Sequence, residues 1–440
     1  MTDFLLNCGG ILFAVTLYSS SPIALNAALL LPALAILLSS NEKLKDRQSR
    51  PPKAVDTTGV KEDAENRKDD IPMKPFVTNY RGAMMMITSI AILAVDFRIF
   101  PRRFAKVENW GTSIMDMGVG SFVFSAGLVA AKTPIKERVK QKKSTLSSRL
   151  YTSARHSIPL FVLGIIRFYS VKGLEYAEHV TEYGVHWNFF FTLAFLGPLV
   201  AVVHSLFVLL PSYTLIALLI TATHELALDL TNLTYFVVMA PRTDFISMNK
   251  EGVVSFAGYM AIFVAGIGTG LIALPRNEVN LSQIAGKWQF LHSTFGKLCA
   301  RTLLWIVLFE LSTSYFGLGL SVSRRLANMP YVFWVVAFNT GQLCLYCGIE
   351  NLCFRSLYFA EDRETELQRC RSATSQLLYS LNRNSLAIFL VANLLTGLVN
   401  QTLPTLELSM MQSMGVLVVH CIIFCGLALK LDRWDISIKL

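Results

Sequence analysis

Apolar residues in this chain fall in long uninterrupted blocks, not at the alternating or 3.6-residue spacing of a soluble core. Twelve such blocks cover 4–20, 24–40, 82–97, 112–131, 157–171, 188–209, 212–229, 254–274, 297–318, 329–349, 385–402 and 410–430, each closed by charge or by Pro, Gly and Asn. A helix needs roughly 20 apolar residues to cross a bilayer core, and only a helix satisfies its own backbone in lipid without a closed barrel. The pattern predicts an all-α, polytopic membrane bundle of about 12 transmembrane helices, read as one domain over 1–440. The apolar run 230–241 is too short to cross and is read as re-entrant or interfacial. Residues 41–74 mix both charge signs, contain Pro51-Pro52 and almost lack aromatics, so they read as a flexible tether.

Composition agrees. Of 440 residues 53% are hydrophobic and only 16% charged, with a mean hydropathy of +0.47, where soluble domains carry about 25% charge. The first apolar run leads straight into a second, which argues against a removable signal peptide. Cys344 and Cys347 form a lone C-x-x-C inside an apolar helix, without the second pair that a structural zinc needs. No metal is expected.

The net charge of +10 is uneven and orients the chain. The 132–155 connection holds Lys132, Lys136, Arg138, Lys140, Lys142, Lys143, Arg149 and Arg155 against the single acid Glu137, and 41–81 holds ten Lys and Arg. Both are cytoplasmic by the positive-inside rule, and parity with twelve spans places both termini there too. Cysteines introduced at Lys61 and Ser144 should therefore react with an impermeant thiol reagent on sealed microsomes, and one at Glu108 only after permeabilisation. Labelling of Glu108 without permeabilisation overturns the orientation.

Parity puts 97–111, 172–187 and 319–328 on the opposite face. Two of them are nevertheless basic: Arg98, Arg102, Arg103 and Lys106 in the first, Arg324-Arg325 in the third. Guanidinium forks suit phosphate oxygens; headgroup snorkelling is the plainer account. Asp96 ends the third span and Asp116 lies one turn inside the fourth, and ionisable groups at membrane depth are functional or paired. On a helix Glu175, Glu178, His179, Glu182 and His186 make one polar face, open to a metal site, an acid–base cluster or a solvated surface. His224 and Asp229 have an H-x-x-x-x-D spacing but on a helix would point to different faces. Glu310, mid-span, is expected to pair within the bundle. Neither a G-x-S-x-G elbow nor a P-loop is present.

Several of these stretches resemble a known family. Residues 91–108 (AILAVDFRIFPRRFAKVE) and 111–124 (GTSIMDMGVGSFVF) are similar to the central signature of the GPI inositol-acyltransferase family, whose fungal members are called GPI-anchored wall transfer proteins. Residues 178–188 (EHVTEYGVHWN), 249–252 (NKEG), 323–328 (SRRLAN) and 392–400 (ANLLTGLVN) resemble further blocks, and the likeness runs from about residue 5 to the C-terminus. The resemblance implies a multi-pass enzyme of the endoplasmic reticulum. It would transfer a fatty acyl group, usually palmitoyl, from acyl-coenzyme A to the inositol 2-hydroxyl of glucosaminyl-phosphatidylinositol. The family's proposed catalytic pair falls on Asp96 and Lys106. Its members usually carry one more hydrophobic segment before the run that starts here at Asp3, which would turn thirteen spans and a lumenal N-terminus into the twelve and cytoplasmic one counted above.

On that resemblance Asp96 takes the inositol proton, and Lys106 stabilises developing negative charge or holds Asp96 ionised. Arg102, Arg103, Arg324 and Arg325 are expected at lipid or coenzyme phosphates, and His179, Glu182, His186, Asn249 and Lys250 at substrate. Acyl-CoA is a co-substrate, not a bound cofactor; the partners are the inositol lipid, long-chain acyl-CoA and membrane lipids. No nucleic acid and no obligatory protein partner is inferred. Two alternatives belong to other classes: a metal-dependent intramembrane hydrolase using His179, Glu182 and His186, and a lipid transporter, for which the sequence offers no visible internal repeat.

Overall fold

The computed structural model describes residues 1–48, 71–139, 145–172, 180–207, 210–276, 288–354, 357–358 and 362–438, and among these every regular element is a helix. A π-helical turn, Phe4–Gly9, leads into α1 (Gly10–Val15), followed by α2 (Pro22–Gln48) and α3 (Pro75–Ala94). A short 3-10 turn, Arg102–Phe104, precedes α4 (Asp116–Ala130), α5 (Lys132–Val139), α6 (Leu146–Lys172) and α7 (Val180–Tyr183). Next come α8 (Phe189–Leu206), α9 (Tyr213–Leu230), α10 (Leu233–Met239), α11 (Phe245–Met248) and α12 (Lys250–Ala273). The chain continues through α13 (Trp288–His292), α14 (Thr294–Thr313), α15 (Met329–Cys353), α16 (Arg363–Ser372), α17 (Gln376–Arg383), α18 (Ser385–Thr402) and α19 (Met410–Arg433).

All twelve expected spans coincide with helices. Among the described residues seven helical stretches are long and apolar enough to cross a membrane, α4 with α5 counting as one (Asp116–Arg138), and shorter apolar helices at Thr2–Val15, Pro22–Ala35 and Phe189–Ser205 match three more. The other two expected spans fall on α6 and α14. The helix α10, with 7 residues, covers the short apolar run and cannot cross.

The boundaries were less legible. The third span starts at Pro75, not 82, because proline at the first helical position pre-sets the backbone and the polar Asn79 and Arg81 lie inside the helix. The tether's first residues belong to α2, which continues to Gln48; residues 49–70 lie outside the described ones. The helices α16 and α17 had no counterpart in the apolar pattern. Asp362 and Ser375 accept backbone hydrogen bonds at their N-termini, from Thr365 and Leu378.

The chain divides into two compact units, Met1–Ala105 with Ser356–Lys439, and Lys106–Arg355. In the first unit α17 packs against α3 and α19. Gly82 makes this contact possible: a Cβ there would lie 2.3 Å from the Leu378 carbonyl oxygen. In the second unit α12 is the central helix, packed against α4, α9, α14 and α15. A Cβ at Gly127 of α4 would lie 2.1 Å from the carbonyl oxygen of Phe263 on α12, and one at Gly266 2.4 Å from that of Phe124. Small residues let helix backbones touch where no hydrophobic gain drives helices together in lipid.

Candidate functional site

Asp96 follows the last turn of α3 in the first unit and accepts a hydrogen bond from Asn400 Nδ2 of α18 at 2.9 Å. That bond joins the first signature block to the last. Asn400 Oδ1 is buried and accepts no hydrogen bond from the described residues. Arg102 and Arg103 belong to the same unit and are both exposed. Arg102 Nη1 donates to the Val95 carbonyl at 3.3 Å and Arg103 Nη2 to the Ser19 carbonyl at 2.5 Å.

Lys106 opens the second unit, and its ammonium donates to both carboxylate oxygens of Glu182, each at 2.9 Å. Glu182 Oε1 also accepts from Arg324 Nη1 at 3.0 Å. Arg324 Nε in turn donates to Asp116 Oδ1 at 2.8 Å. Burial works against charge on Glu182, yet Lys106 and Arg324 outweigh it and hold its carboxyl at about 2. Its share of the pairing is thus present at all ordinary pH and is lost only as pH falls through about 2.

Asp116 is the first residue of α4, not one turn inside it, and is fully buried. Its oxygens also take the Ser113 hydroxyl at 2.7 Å and the Val107 backbone N–H at 3.2 Å. Its carboxyl group is thus held in place at the N-terminus of α4 by a hydroxyl, a backbone N–H and a guanidinium.

Arg324 and Arg325 are buried and face inward, each with a side chain 8% exposed. Arg325 donates to Asn109 Oδ1 at 2.7 Å, to the Val237 carbonyl at 3.0 Å and to Glu251 Oε1 at 2.6 Å. Arg242 grips the same Glu251 through two donors, at 2.5 and 3.0 Å. The turn carrying the two arginines is held from α9: His224 Nε2 meets the Leu326 carbonyl at 3.0 Å, and Glu225 accepts from the Met329 N–H at 2.7 Å. This is where His224 is used. Asp229 is exposed on another face of α9, so the pair is not assembled. Ala327, within the turn, has φ +46° and is buried. A Cβ on Gly258 would lie 2.0 Å from its carbonyl oxygen. Gly258→Ala should therefore push the arginine turn off α12, with the cost of about 1–3 kcal/mol usual for overpacking, read as earlier thermal unfolding in detergent; an unchanged melting temperature contradicts this.

The expected polar helix face at 175–186 is not continuous. Glu175, Glu178 and His179 lie outside the described residues. Past α7 the chain turns at Gly184, whose φ is +117°, and residues from Val185 onward leave the helix. A Cβ at Gly184 would lie 2.6 Å from the Asn249 Cα, and Val185 N–H donates to the Met248 carbonyl at 2.9 Å. Asn249 Oδ1 accepts the N–H groups of His186 and Trp187 at 2.8 and 2.9 Å. The His186 ring stacks on Phe245, centroids 5.7 Å apart, with Phe168 at 5.5 Å. Lys250 Nζ donates to the Ala240 carbonyl at 2.5 Å, and a Cβ on Gly252 would meet the Trp187 ring at 2.4 Å. Asn249, Glu251 and Gly252 thus each meet a residue of another block, while Lys250 is held by Ala240, outside them. Among the described residues no three His, Cys, Asp or Glu side chains converge as a metal set.

Glu310 differs from expectation. It lies in the last turn of α14, exposed and with no ion-pair partner among the described residues, where a long acid reaches the interface. The partners that residue type and spacing did not single out are Asn109, Arg242, Glu251 and Asn400. All but Arg242 sit in or beside the quoted blocks, which is the one signal that pointed toward them.

The comparisons with known proteins extend over the whole chain. A family model described as GWT1 matches residues 1–431. A GPI-anchored wall transfer protein 1 from Gibberella zeae is 51% identical over 451 aligned residues, which take in 100% of this chain and 88% of that protein. Proteins of the same name from Aspergillus fumigatus and Candida albicans are 49% and 41% identical, again over 100% of this chain and over 88% and 89% of theirs. A family model matched over residues 1–431 and identities of 41–51% over the whole chain leave one assignment: the chain belongs to the GWT1 family.

Proposed function

We propose that this protein is a multi-pass acyltransferase of the endoplasmic-reticulum membrane in GPI-anchor biosynthesis. It transfers a long acyl group, with palmitoyl the first to test, from acyl-coenzyme A to the inositol 2-hydroxyl of glucosaminyl-phosphatidylinositol. The relatives' name ties them to GPI-anchored wall proteins, and the membrane-spanning helices suit lipid substrates. The observation that carries the chemistry is Lys106: a fixed ammonium whose side chain is 42% exposed, next to a carboxylate that cannot neutralise itself at ordinary pH.

The roles follow from bond changes. The inositol oxygen attacks the thioester carbon, a C–O bond forms, and coenzyme A leaves as thiol. Asp96 accepts the hydroxyl proton as general base. Lys106 offers positive charge to the thioester oxygen as it becomes an oxyanion. An ammonium has three donors; Glu182 takes two, and the third, which meets no acceptor among the described residues, is assigned to that oxygen. Arg102 and Arg103, exposed beside the Asp96 turn, are assigned to the substrate phosphate; Arg324 and Arg325, already matched with carboxylates, are assigned to holding the site. The test is direct. Purified protein incubated with glucosaminyl-phosphatidylinositol and labelled palmitoyl-CoA should yield an inositol-acylated lipid and free thiol in equal amounts. No acylated lipid with any long-chain acyl-CoA removes this reading.

A further inference from the structure

The contacts around Lys106 close on themselves. Its ammonium holds Glu182, Glu182 holds Arg324, Arg324 holds Asp116, and Asp116 takes the N–H of Val107, the residue after Lys106. Both ends of Lys106 are thereby tied to one ring, the side chain through Glu182 and the backbone through Asp116. Asn109 and Gly111 fasten the same segment to the arginine turn: Ser323 Oγ donates to the Asn109 carbonyl at 2.7 Å, and Gly111 N–H to the Val322 carbonyl at 2.8 Å. Among the described residues the other groups acting on Glu182 are cationic or neutral. Arg167 of α6 adds a like-signed partner to Lys106 and Arg324, while Tyr183 lies next along α7 and Tyr259 of α12 stands beside Arg324.

Two features set Glu182 apart from a mere structural acid. First, it is the only member of the ring that touches Lys106's charged atom, and it touches it with both oxygens. Second, it does not need Lys106 in order to be paired, because Arg324 remains. The pair is therefore asymmetric: the lysine depends on the glutamate for position, and the glutamate does not depend on the lysine for neutralisation. A long lysine side chain otherwise samples many rotamers, and a displacement of about 1 Å at a reacting centre can cost on the order of 10²-fold in rate.

We propose that Glu182, anchored through Arg324 to Asp116, is a positioning residue that aims the Lys106 ammonium at the reacting centre. This rests on the acyltransferase reading for the identity of that centre, and it assigns Glu182 to the lysine in place of direct contact with substrate. The structure of the ring gives the proposal a signature that a general folding role lacks. Glu182 acts only through Lys106, so its effect must vanish when Lys106 is gone.

The experiment is a double-mutant cycle on the full chain purified in detergent, with the rate of inositol-lipid acylation and both KM values measured per folded molecule. Glu182→Gln, which keeps shape and one acceptor, should lower kcat on the order of 10-fold to 10²-fold with KM for the lipid and for palmitoyl-CoA within about twofold. Glu182→Asp, which restores the charge at shorter reach, should recover part of that loss. Glu182→Gln added to Lys106→Ala should cost nothing further. A full additional loss in the Lys106→Ala background, or a change confined to KM of the lipid, overturns the proposal, the latter in favour of direct substrate contact. A second readout does not depend on turnover. An amine-reactive succinimidyl ester at fixed pH, followed by peptide mass spectrometry, should modify Lys106 several-fold faster in Glu182→Gln than in the wild type, because the amine is released from its carboxylate. Unchanged labelling sinks the positioning role even if the wild type shows no acylation, whereas absent acylation with the expected labelling removes only the acyltransferase reading.

Discussion

Asp96→Asn should lower the acylation rate by about 10²–10⁴-fold, the usual contribution of a general base, while the protein still inserts and binds acyl-CoA. The substitution keeps the size of the side chain. It also keeps an oxygen that can accept the Asn400 Nδ2 bond now made at 2.9 Å. What it removes is the ability to take a proton. An aspartate that merely balanced the neighbouring arginines would behave differently. Replacing it would reduce the amount of folded protein, and the surviving molecules would turn over at a near-normal rate. Activity per folded molecule separates the two outcomes, and normal specific activity in Asp96→Asn ends this mechanism. Asp116, the other acid beside these loops, belongs to the ring around Lys106. Its oxygens are occupied by Ser113, Val107 and Arg324, and it is fully buried.

Lys106→Ala should cost about 10²–10³-fold in kcat, the range for losing one preorganised oxyanion donor, with little loss of folded protein. The reason lies in the pairing. Removing one partner of a buried ion pair is destabilising when it strands the other, but Glu182 retains Arg324. Lys106→Arg sharpens the test. Its guanidinium can still bridge to Glu182, yet it spreads the charge over a plane and reaches further, so it should recover only part of the loss. Full activity in Lys106→Arg would mean that positive charge near the site is sufficient, and that aiming is not required. Equal loss of abundance and activity in Lys106→Ala would return Lys106 to a structural role.

How much of this site the sequence made legible can be seen residue by residue. Asp96, Lys106, Glu182 and the arginine pair stood out because charge beside long apolar blocks is expensive and therefore conspicuous. Glu251 and Asn400 did not. Each lies within a helix, and its importance consists in what it touches: Glu251 holds Arg325 and Arg242, and Asn400 holds Asp96. The polar face drawn through residues 175–186 assumed one helix, but Gly184 was the signal that the helix stops. Its positive φ lets the chain drop onto Asn249. Residue spacing gives the direction of side chains only while the backbone keeps its period.

The apolar blocks by themselves determined an all-helical membrane protein and placed a helix at each of the twelve blocks, seven of them on helices long and apolar enough to cross a membrane, because a single segment satisfies its own backbone in lipid only as a helix. Tertiary structure decided which charges are free and which are spent. Lys106 meets Glu182 across 76 residues of sequence, and Arg324 meets Asp116 across 208. Pairings so distant leave no local period or composition behind. They exist because close helix crossings, such as that of Gly127 against Phe263, bring separate loops within hydrogen-bonding reach, where buried ions must find partners.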